Sequence, residues 1–363
     1  MELSATDQYW VWLSSVEGIG PRRFYHLVGA YGEPRGVWDA ARSGFVEGVG
    51  PKTLENLKRA ARPEYFYRLF ELLERLEITP LTRMNEQYSA LLPSIFDPPP
   101  TLYVKGNADL RLEKPFAIVG TRHPTRDGRR AASEFAEQLA LCGATVVSGL
   151  ARGIDTCAHE SCIKGGGRTI AVLGCGVDVI YPKENEKLYH SILDTGGTIV
   201  SEYAPGVGPM AQYFPARNRI ISGLSEGVLL VEGSLRSGGM ITANCALEQG
   251  RDLFVLPGSI YSSMSQGPNS LLMQGAFPVI SPWDIPEHYR WAQRPSVSTP
   301  KVQEELSEEE RPVVEELRKQ EMSVSELSME TGMSTARLNS ILTMLELRGI
   351  VAKLPGGGYR ADG

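Results

Sequence analysis

The sequence lacks the usual marks of metal, nucleotide and membrane proteins. Five cysteines, at positions 142, 157, 162, 175 and 245, include no CxxC pair and no metal-ligand spacing. No GxxxxGK[ST] motif occurs, which argues against a P-loop nucleotidase. No apolar run approaches the roughly 18 residues of a membrane span, and no basic-then-apolar leader opens the chain. Scattered thiols suit a reducing compartment, so we expect a cytoplasmic protein without a metal or other cofactor.

An excess of positive charge is also absent. The formal net charge is −6 over 363 residues. Any nucleic-acid function must therefore depend on local clusters of cations and not on the charge of the whole chain. The length suits two or three domains.

An internal repeat marks residues 1–62, which we expect to form a small helical domain. Val16-Glu-Gly-Ile-Gly-Pro21 recurs as Val46-Glu-Gly-Val-Gly-Pro51, and each copy precedes a helix-like stretch with basic residues. The repeat resembles the paired helix-hairpin-helix motif, whose backbone N–H groups hold DNA phosphates. The alternative is a sterile-alpha-motif-like bundle that uses these glycines for packing. Residues 1–110 hold 12 basic and 14 acidic residues and offer DNA no net attraction.

Strands and helices alternate in residues 111–285, after a connecting segment over 63–110. That segment has an amphipathic helix pattern over 64–77 and a short strand pattern over 102–104. The domain itself has six short apolar strands, at 116–120, 144–148, 169–173, 198–201, 228–231 and 253–256. Apolar strands separated by helices predict an α/β, Rossmann-like doubly wound parallel sheet with ligands at the carboxyl ends of the strands.

Cations concentrate where these strands end. Residues 111–285 contain 15 basic residues, and nine of them follow strand ends: Arg122, Arg126, Arg129, Arg130, Arg152, Lys183, Arg217, Arg219 and Arg236. An even spread over a solvated surface would not give this asymmetry, so it predicts a polyanionic ligand. The candidate contacts are Gly120, Thr121, Arg122, Ser148, Gly149, Arg152, Lys183, Arg217, Asn218 and Arg219. The last three stand where a loop is expected to become a helix, which would make an anion site at a helix N-terminus.

Two acidic patterns leave alternatives open. Asp155 and His159, four residues apart on a predicted helix, could hold a metal or relay a proton, or could cap the helix and bond within the core. Glu202 and Glu232 each end a strand and could form a catalytic pair or orient the arginines. An enzyme of the phosphoribohydrolase type is the alternative function. However, the chain lacks the Pro-Gly-Gly-x-Gly-Thr-x-x-Glu motif of those enzymes.

Several blocks in order resemble the DNA-processing protein A (DprA/Smf) family. They are Ala117-Ile-Val-Gly-Thr-Arg122, Ser148-Gly-Leu-Ala-Arg-Gly-Ile-Asp155, Gly174-Cys-Gly-Val-Asp-Val-Ile-Tyr-Pro182, Phe214-Pro-Ala-Arg-Asn-Arg-Ile-Ile-Ser222 and Leu256-Pro-Gly258. The resemblance implies a non-catalytic protein that binds and protects single-stranded DNA and helps to load the RecA recombinase during natural transformation. It also implies backbone contacts at Arg122, Lys183, Ser148 and Gly149. Where the family has a serine, this chain has Gly239.

The resemblance further implies a homodimer formed through the last part of this domain. Leu271, Leu272, Phe277 and Ile280 are apolar anchors for such an interface, and they are equally candidates for the core.

Residues 286–302 read as a proline-containing linker, and residues 303–363 resemble a small winged-helix domain. Val324–Gly332 and Met333–Arg348 give a helix–turn–helix pattern, followed by a two-stranded wing. Residues 301–363 hold 12 acidic and 8 basic residues. This charge opposes a fit into a DNA groove, so we favour protein contact or self-association over duplex reading.

Overall fold

The computed structural model describes residues 3–294, 306–348, 350–354 and 357–361. The chain divides into two compact units, one ending at Arg294 and the other beginning at Pro295. The expected linker crosses this division, and its residues 295–302 lie outside the described residues. In the described ranges, no helix has both the length and the apolar character that a membrane span requires.

The first unit begins with five helices. They are α1 (Ala5–Ser15), α2 (Pro21–Tyr31), α3 (Pro34–Ser43), α4 (Pro51–Ala60) and α5 (Pro63–Arg75). Proline opens four of them because its fixed φ and missing N–H suit the first helical position. The two sequence repeats form the turns before α2 and α4, and Gly18 and Gly48 adopt φ values of +94° and +78° there. The predicted helical N-terminus is confirmed.

One nine-stranded sheet runs through residues 3–294, in the order β1-β2-β6-β5-β4-β3-β7-β8-β9. The strands are β1 (Thr79–Thr82), β2 (Thr101–Gly106), β3 (Pro115–Val119), β4 (Thr145–Ser148), β5 (Thr169–Val172), β6 (Thr198–Ser201), β7 (Gly227–Leu230), β8 (Asp252–Val255) and β9 (Phe277–Pro278). Strands β3 to β8 pair in parallel, as predicted, and β9, which was not predicted, pairs in parallel with β8. However, β2 joins β6 antiparallel, and β1 joins β2 antiparallel. The segment over 63–110 therefore does more than connect, because it contributes two strands.

Helices cover both faces of the parallel strands, which explains why these strands are apolar throughout. The helices are α6 (Arg126–Leu141), α7 (Ile154–Lys164), α8 (Glu186–Asp194), α9 (Tyr213–Gly223), α10 (Gly238–Glu248), α11 (Gln266–Leu272) and α12 (Asp284–His288). Phe116 and Ile118 of β3 share a buried cluster with α6 and α7. Ala117 and Val119, which point to the other face, share a cluster with α9 and α10.

β3 and β7 are neighbours in the sheet, and the helices that follow them lie on opposite faces of the sheet. β3 leads into α6 on one face, whereas β7 leads into α10 on the other. The two connections therefore diverge and leave a crevice at the carboxyl ends of these strands, which is where doubly wound folds bind ligands.

The second unit has a winged-helix arrangement, as predicted. Its elements are α13 (Glu310–Lys319), β10 (Met322–Ser323), α14 (Val324–Thr331), α15 (Thr335–Leu347), β11 (Val351–Lys353) and β12 (Gly358–Ala361). Ser323 and Glu326 cap α14 reciprocally, and Gly332 ends it in the left-handed region. Val313, Leu327 and Leu342 lie in a core of its own.

Candidate nucleic-acid interface

A cavity of about 590 Å³ occupies the crevice between the ends of β3 and β7. Its walls include Gly120, Thr121 and Arg122 after β3, and residues 237–239 at the start of α10. We call the edge of the sheet that carries this cavity, formed by the carboxyl ends of β3 to β7, the carboxyl edge. The sequence predicted a ligand site at this edge.

Arg122 and Lys183 are exposed on the carboxyl edge. The Arg122 guanidinium carbon lies 5.8 Å from the centroid of the Phe214 ring, and the Tyr181 ring lies 5.3 Å from Phe214. An arginine over an aromatic face is held in place without losing its charge. The arrangement gives a cation beside two aromatic rings at the mouth of the cavity.

The loop between β4 and α7 is held rigidly from beneath. Ser148 is fully buried and donates its hydroxyl to the Ile118 carbonyl at 2.7 Å. The backbone N–H groups of Gly149 and Ala151 both donate to Oδ2 of Asp155, at 3.1 and 3.3 Å. Ser148 and Gly149 therefore shape the edge from within, and the Ser148 hydroxyl is not presented to a ligand.

His159 completes this support. Its Nε2 accepts the N–H of Leu150 at 3.3 Å, and its Nδ1 lies 2.7 Å from the Thr169 hydroxyl. That hydroxyl donates to the Val146 carbonyl, so Nδ1 carries the proton that His159 donates to it. Burial lowers the pKa of His159 to about 3, so the ring is neutral. Asp155 and His159 thus bond within the core, as the second of the two sequence interpretations holds.

Asp155 is a buried carboxylate beside a buried guanidinium. Burial raises its pKa to about 6, while Arg217 and the two backbone N–H donors act against that rise. The charged carboxylate is thus kept in the core by a counter-ion and two hydrogen bonds.

The predicted anion site at a helix start is wrong for Arg217, which lies inside a helix and is buried. Helix α9 begins at Tyr213, not near Asn218, because Pro215 fits within its first turn. Arg217 therefore lies in the second turn, is only 4% exposed, and donates to the carbonyl oxygens of Gly149 and Val172. Asn218 accepts from the Arg217 Nε and donates to the Gly238 carbonyl. These two side chains join the carboxyl ends of β4 and β5 to the start of α10 under the cavity.

Arg219 and Glu202 form a largely buried ion pair. Burial raises the pKa of Glu202, and the Arg219 guanidinium limits that rise. Glu232 instead accepts the Thr125 hydroxyl at 2.6 Å and the Thr125 N–H at 2.9 Å, and so ties the end of β7 to the start of α6. Glu202 therefore orients an arginine, as the second sequence alternative proposed, whereas Glu232 holds a threonine instead.

Arg152 pairs with Glu184 at 2.5 Å, and both side chains are exposed. Of the four exposed or partly exposed cations predicted here, Arg152 and Arg219 are in ion pairs, whereas Arg122 and Lys183 have none within the described residues. Sequence reasoning missed Asn185, whose side chain donates to the Leu150 carbonyl at 2.9 Å and to the Thr156 hydroxyl at 3.0 Å. Its position directly after Lys183-Glu184 was the available signal.

The four predicted interface anchors separate by burial. Leu271 is fully buried in the core and Leu272 packs partly against it. Phe277 and Ile280 are exposed, and so are Ile260, Tyr261 and Met273.

Known protein families match the part of the chain that forms the carboxyl edge. The family described as DNA recombination-mediator protein A matches residues 79–290, and a DprA winged helix domain matches residues 297–357. The chain belongs to the DNA recombination-mediator protein A family. Every one of the ten predicted contact residues lies within the first matched range.

Relatives of known name agree with this membership. The chain is 39% identical to the Protein Smf of Escherichia coli over 283 residues, which are 76% of this chain and 75% of that one. The DNA processing protein A structure from Streptococcus pneumoniae superposes with a TM-score of 0.65 at 34% identity, covering 78% of this chain and 98% of that one. The DNA processing protein A of Helicobacter pylori gives a TM-score of 0.54 at 33% identity, over 59% and 96% of the two chains. That protein is described as having a unique single-stranded DNA binding mode.

Proposed function

We propose that this protein binds single-stranded DNA along the carboxyl edge, through phosphate contacts made by Arg122 and Lys183. The observation that carries the proposal is a pair of exposed cations without ion-pair partners among the described residues. Arg122 lines a cavity whose floor is fixed by Arg217 and Asp155, and Lys183 follows Tyr181, which lines the same cavity, by two residues. Gly120 and Thr121 line the same cavity and allow the strand to approach closely, although the Thr121 N–H is bonded to the Glu232 carbonyl at 2.8 Å. Arg152, once it leaves Glu184, extends the same surface. The single-stranded DNA binding of the Helicobacter pylori relative supports this choice of ligand.

Binding, and not catalysis, is the proposed activity. It serves to protect exposed single strands and to load the RecA recombinase on them, in transformation or repair. We infer that the protein works in the cytoplasm as a homodimer, with Phe277, Ile280 and the partly buried Leu272 at the contact. Leu271 supports that surface from the core.

Substitution of Arg122 or Lys183 by alanine tests the proposal. Each change should weaken binding to all single-stranded sequences alike, because phosphate contacts carry no sequence information. The slope of log affinity against log salt should become shallower by about 0.7 for each phosphate interaction that a substitution removes. Fluorescence anisotropy at several salt concentrations measures both quantities.

Arg68→Ala is the matched control, because Arg68 is exposed on α5, which is not one of the elements that form the carboxyl edge. Unchanged affinity and slope in both site variants, with the fold intact, would refute the proposed site.

A further inference from the structure

Phe96 is an exposed aromatic side chain that the fold holds in one orientation. Its ring is 85% exposed. The residues that follow it, Pro98 to Pro100, are buried, and the Tyr88 hydroxyl donates to the Pro99 carbonyl at 2.6 Å. The residue before it, Ile95, is buried in the core of the sheet. The backbone on both sides is therefore anchored, and the exposed ring is not the tip of a loose loop.

Arg22 fixes the ring from one side. Its guanidinium carbon lies 5.0 Å from the Phe96 ring centroid, and its Nε donates to both carboxylate oxygens of Asp97, at 3.0 and 2.9 Å. Arg22 is on α2, so the N-terminal helices and the loop before β2 build the arrangement together. Stacking and the ion pair set the position of the guanidinium, and the ring keeps most of its area open to a further planar group.

A second arginine and aromatic ring lie beside this pair. Tyr25 follows Arg22 by three residues on the same face of α2, and the Arg83 guanidinium carbon is 5.8 Å from its ring. Arg83 is bonded to Pro100 through its backbone N–H. Arg22, Tyr25, Arg83 and Phe96 form what we call the aromatic platform.

The platform continues the carboxyl edge. β2 pairs antiparallel with β6, and Tyr103 near the start of β2 lies opposite Ser201 at the end of β6. The loop that carries Phe96 leads into the start of β2 and therefore lies at the same edge of the sheet as Glu202. Arg219 and Glu202 are the ion pair at the end of β6, which is next to β5 and the Lys183 segment. A strand that leaves Lys183 along the sheet edge therefore reaches the platform next.

We propose that the aromatic platform is a second subsite for the same single strand, in which a nucleobase stacks on Phe96 while Arg83 faces the backbone. The proposal rests on the proposed function. Alternating cations and open aromatic faces are the chemistry by which proteins hold single strands without reading their sequence. A duplex does not present unstacked base faces, so the subsite would select for single strands.

The test compares Phe96→Ala with the full-length wild type on oligothymidylates of about 5 and about 20 nucleotides. The short strand can be held by Arg122 and Lys183 alone, so its affinity should not change. The long strand should bind more weakly by roughly 5- to 150-fold, the loss of one stacked base. The salt slope should stay the same, because no phosphate contact is removed. Phe96→Trp should restore the affinity.

Two controls keep the result specific. Phe45→Ala removes another exposed phenylalanine, in the turn between α3 and α4, and should leave both affinities unchanged. A long strand with abasic sites should bind wild type and Phe96→Ala equally, because it offers no base to stack. If Phe96→Ala matches wild type on every strand, the platform is not a DNA subsite and the proposal fails. If wild type binds neither strand, the proposed function itself fails.

Discussion

At the scale of single residues, the cations of the carboxyl edge divide into two groups: buried ones that hold the backbone and exposed ones that are open to a ligand. Arg217 has its donors on backbone carbonyls and is buried, whereas Arg122 is exposed and stacks beside Phe214. The sequence placed both at the same edge, and that much was predictable, because parallel strands bring their carboxyl ends together. It did not reveal which cation is buried, because burial depends on how far α9 extends before Arg217. Side-chain type alone does not encode this.

Asp155 allows a prediction about the pH dependence of stability. Its pKa in the folded protein is raised by burial to about 6 from an ordinary value of 3.8. The folded state therefore holds the proton more tightly than the unfolded state. Its contribution is fully favourable below about pH 4 and is lost as the pH rises through 6. His159, which adjoins the same loop, remains neutral over this range.

Asp155→Asn should remove this dependence, because an amide oxygen in the place of Oδ2 can still accept from Gly149 and Ala151. Relative to this variant, the wild type should lose up to about 3 kcal/mol of unfolding free energy between pH 4 and 7. Denaturant titrations across that range measure the difference. Asp39→Asn, at an exposed site on α3, should track the wild type. Parallel profiles for wild type and Asp155→Asn would contradict the raised pKa.

At the scale of elements, the alternation of apolar strands and helices was enough to predict the parallel sheet. The sequence predicted a short strand over 102–104, which lies within β2, but it predicted neither β1 nor the antiparallel pairing of β2. β2 pairs with β6 across about a hundred residues. Local pattern cannot predict such pairing when a proline-rich loop interrupts the segment.

Gly128 gives the prediction for this scale. A Cβ there would lie 2.3 Å from the Glu232 carboxylate, which binds Thr125 at the start of α6. Gly128→Ala should therefore destabilise the fold by about 1–3 kcal/mol, although alanine is the better helix former.

Gly29→Ala is the matched substitution in α2, where a Cβ meets nothing within 4 Å. It should stabilise the protein by about 0.5–1 kcal/mol. Thermal and denaturant unfolding measure the change in stability of each variant relative to the wild type. A gain of stability in both would show that the Glu232 contact yields without cost.

At the scale of the whole molecule, the second unit differs from the first in its larger excess of acidic residues. Residues 301–363 carry 12 acidic and 8 basic residues, and Arg337 at the start of α15 is paired with Glu309. A helix that reads a DNA groove needs cations that are free to meet phosphates. The winged-helix fold was predictable from its glycine turn and apolar spacing, but the fold does not decide the ligand.

We therefore expect residues 1–294 to bind single-stranded DNA within about threefold of the full-length affinity, because the proposed phosphate contacts are all in that unit. Residues 295–363, which have their own core, should bind neither single-stranded nor duplex DNA at physiological salt. Anisotropy titrations of the two fragments and the intact chain, under one set of salt conditions, make the comparison. Tight duplex binding by residues 295–363 would instead assign the winged helix a groove-reading role that its excess of acidic residues argues against.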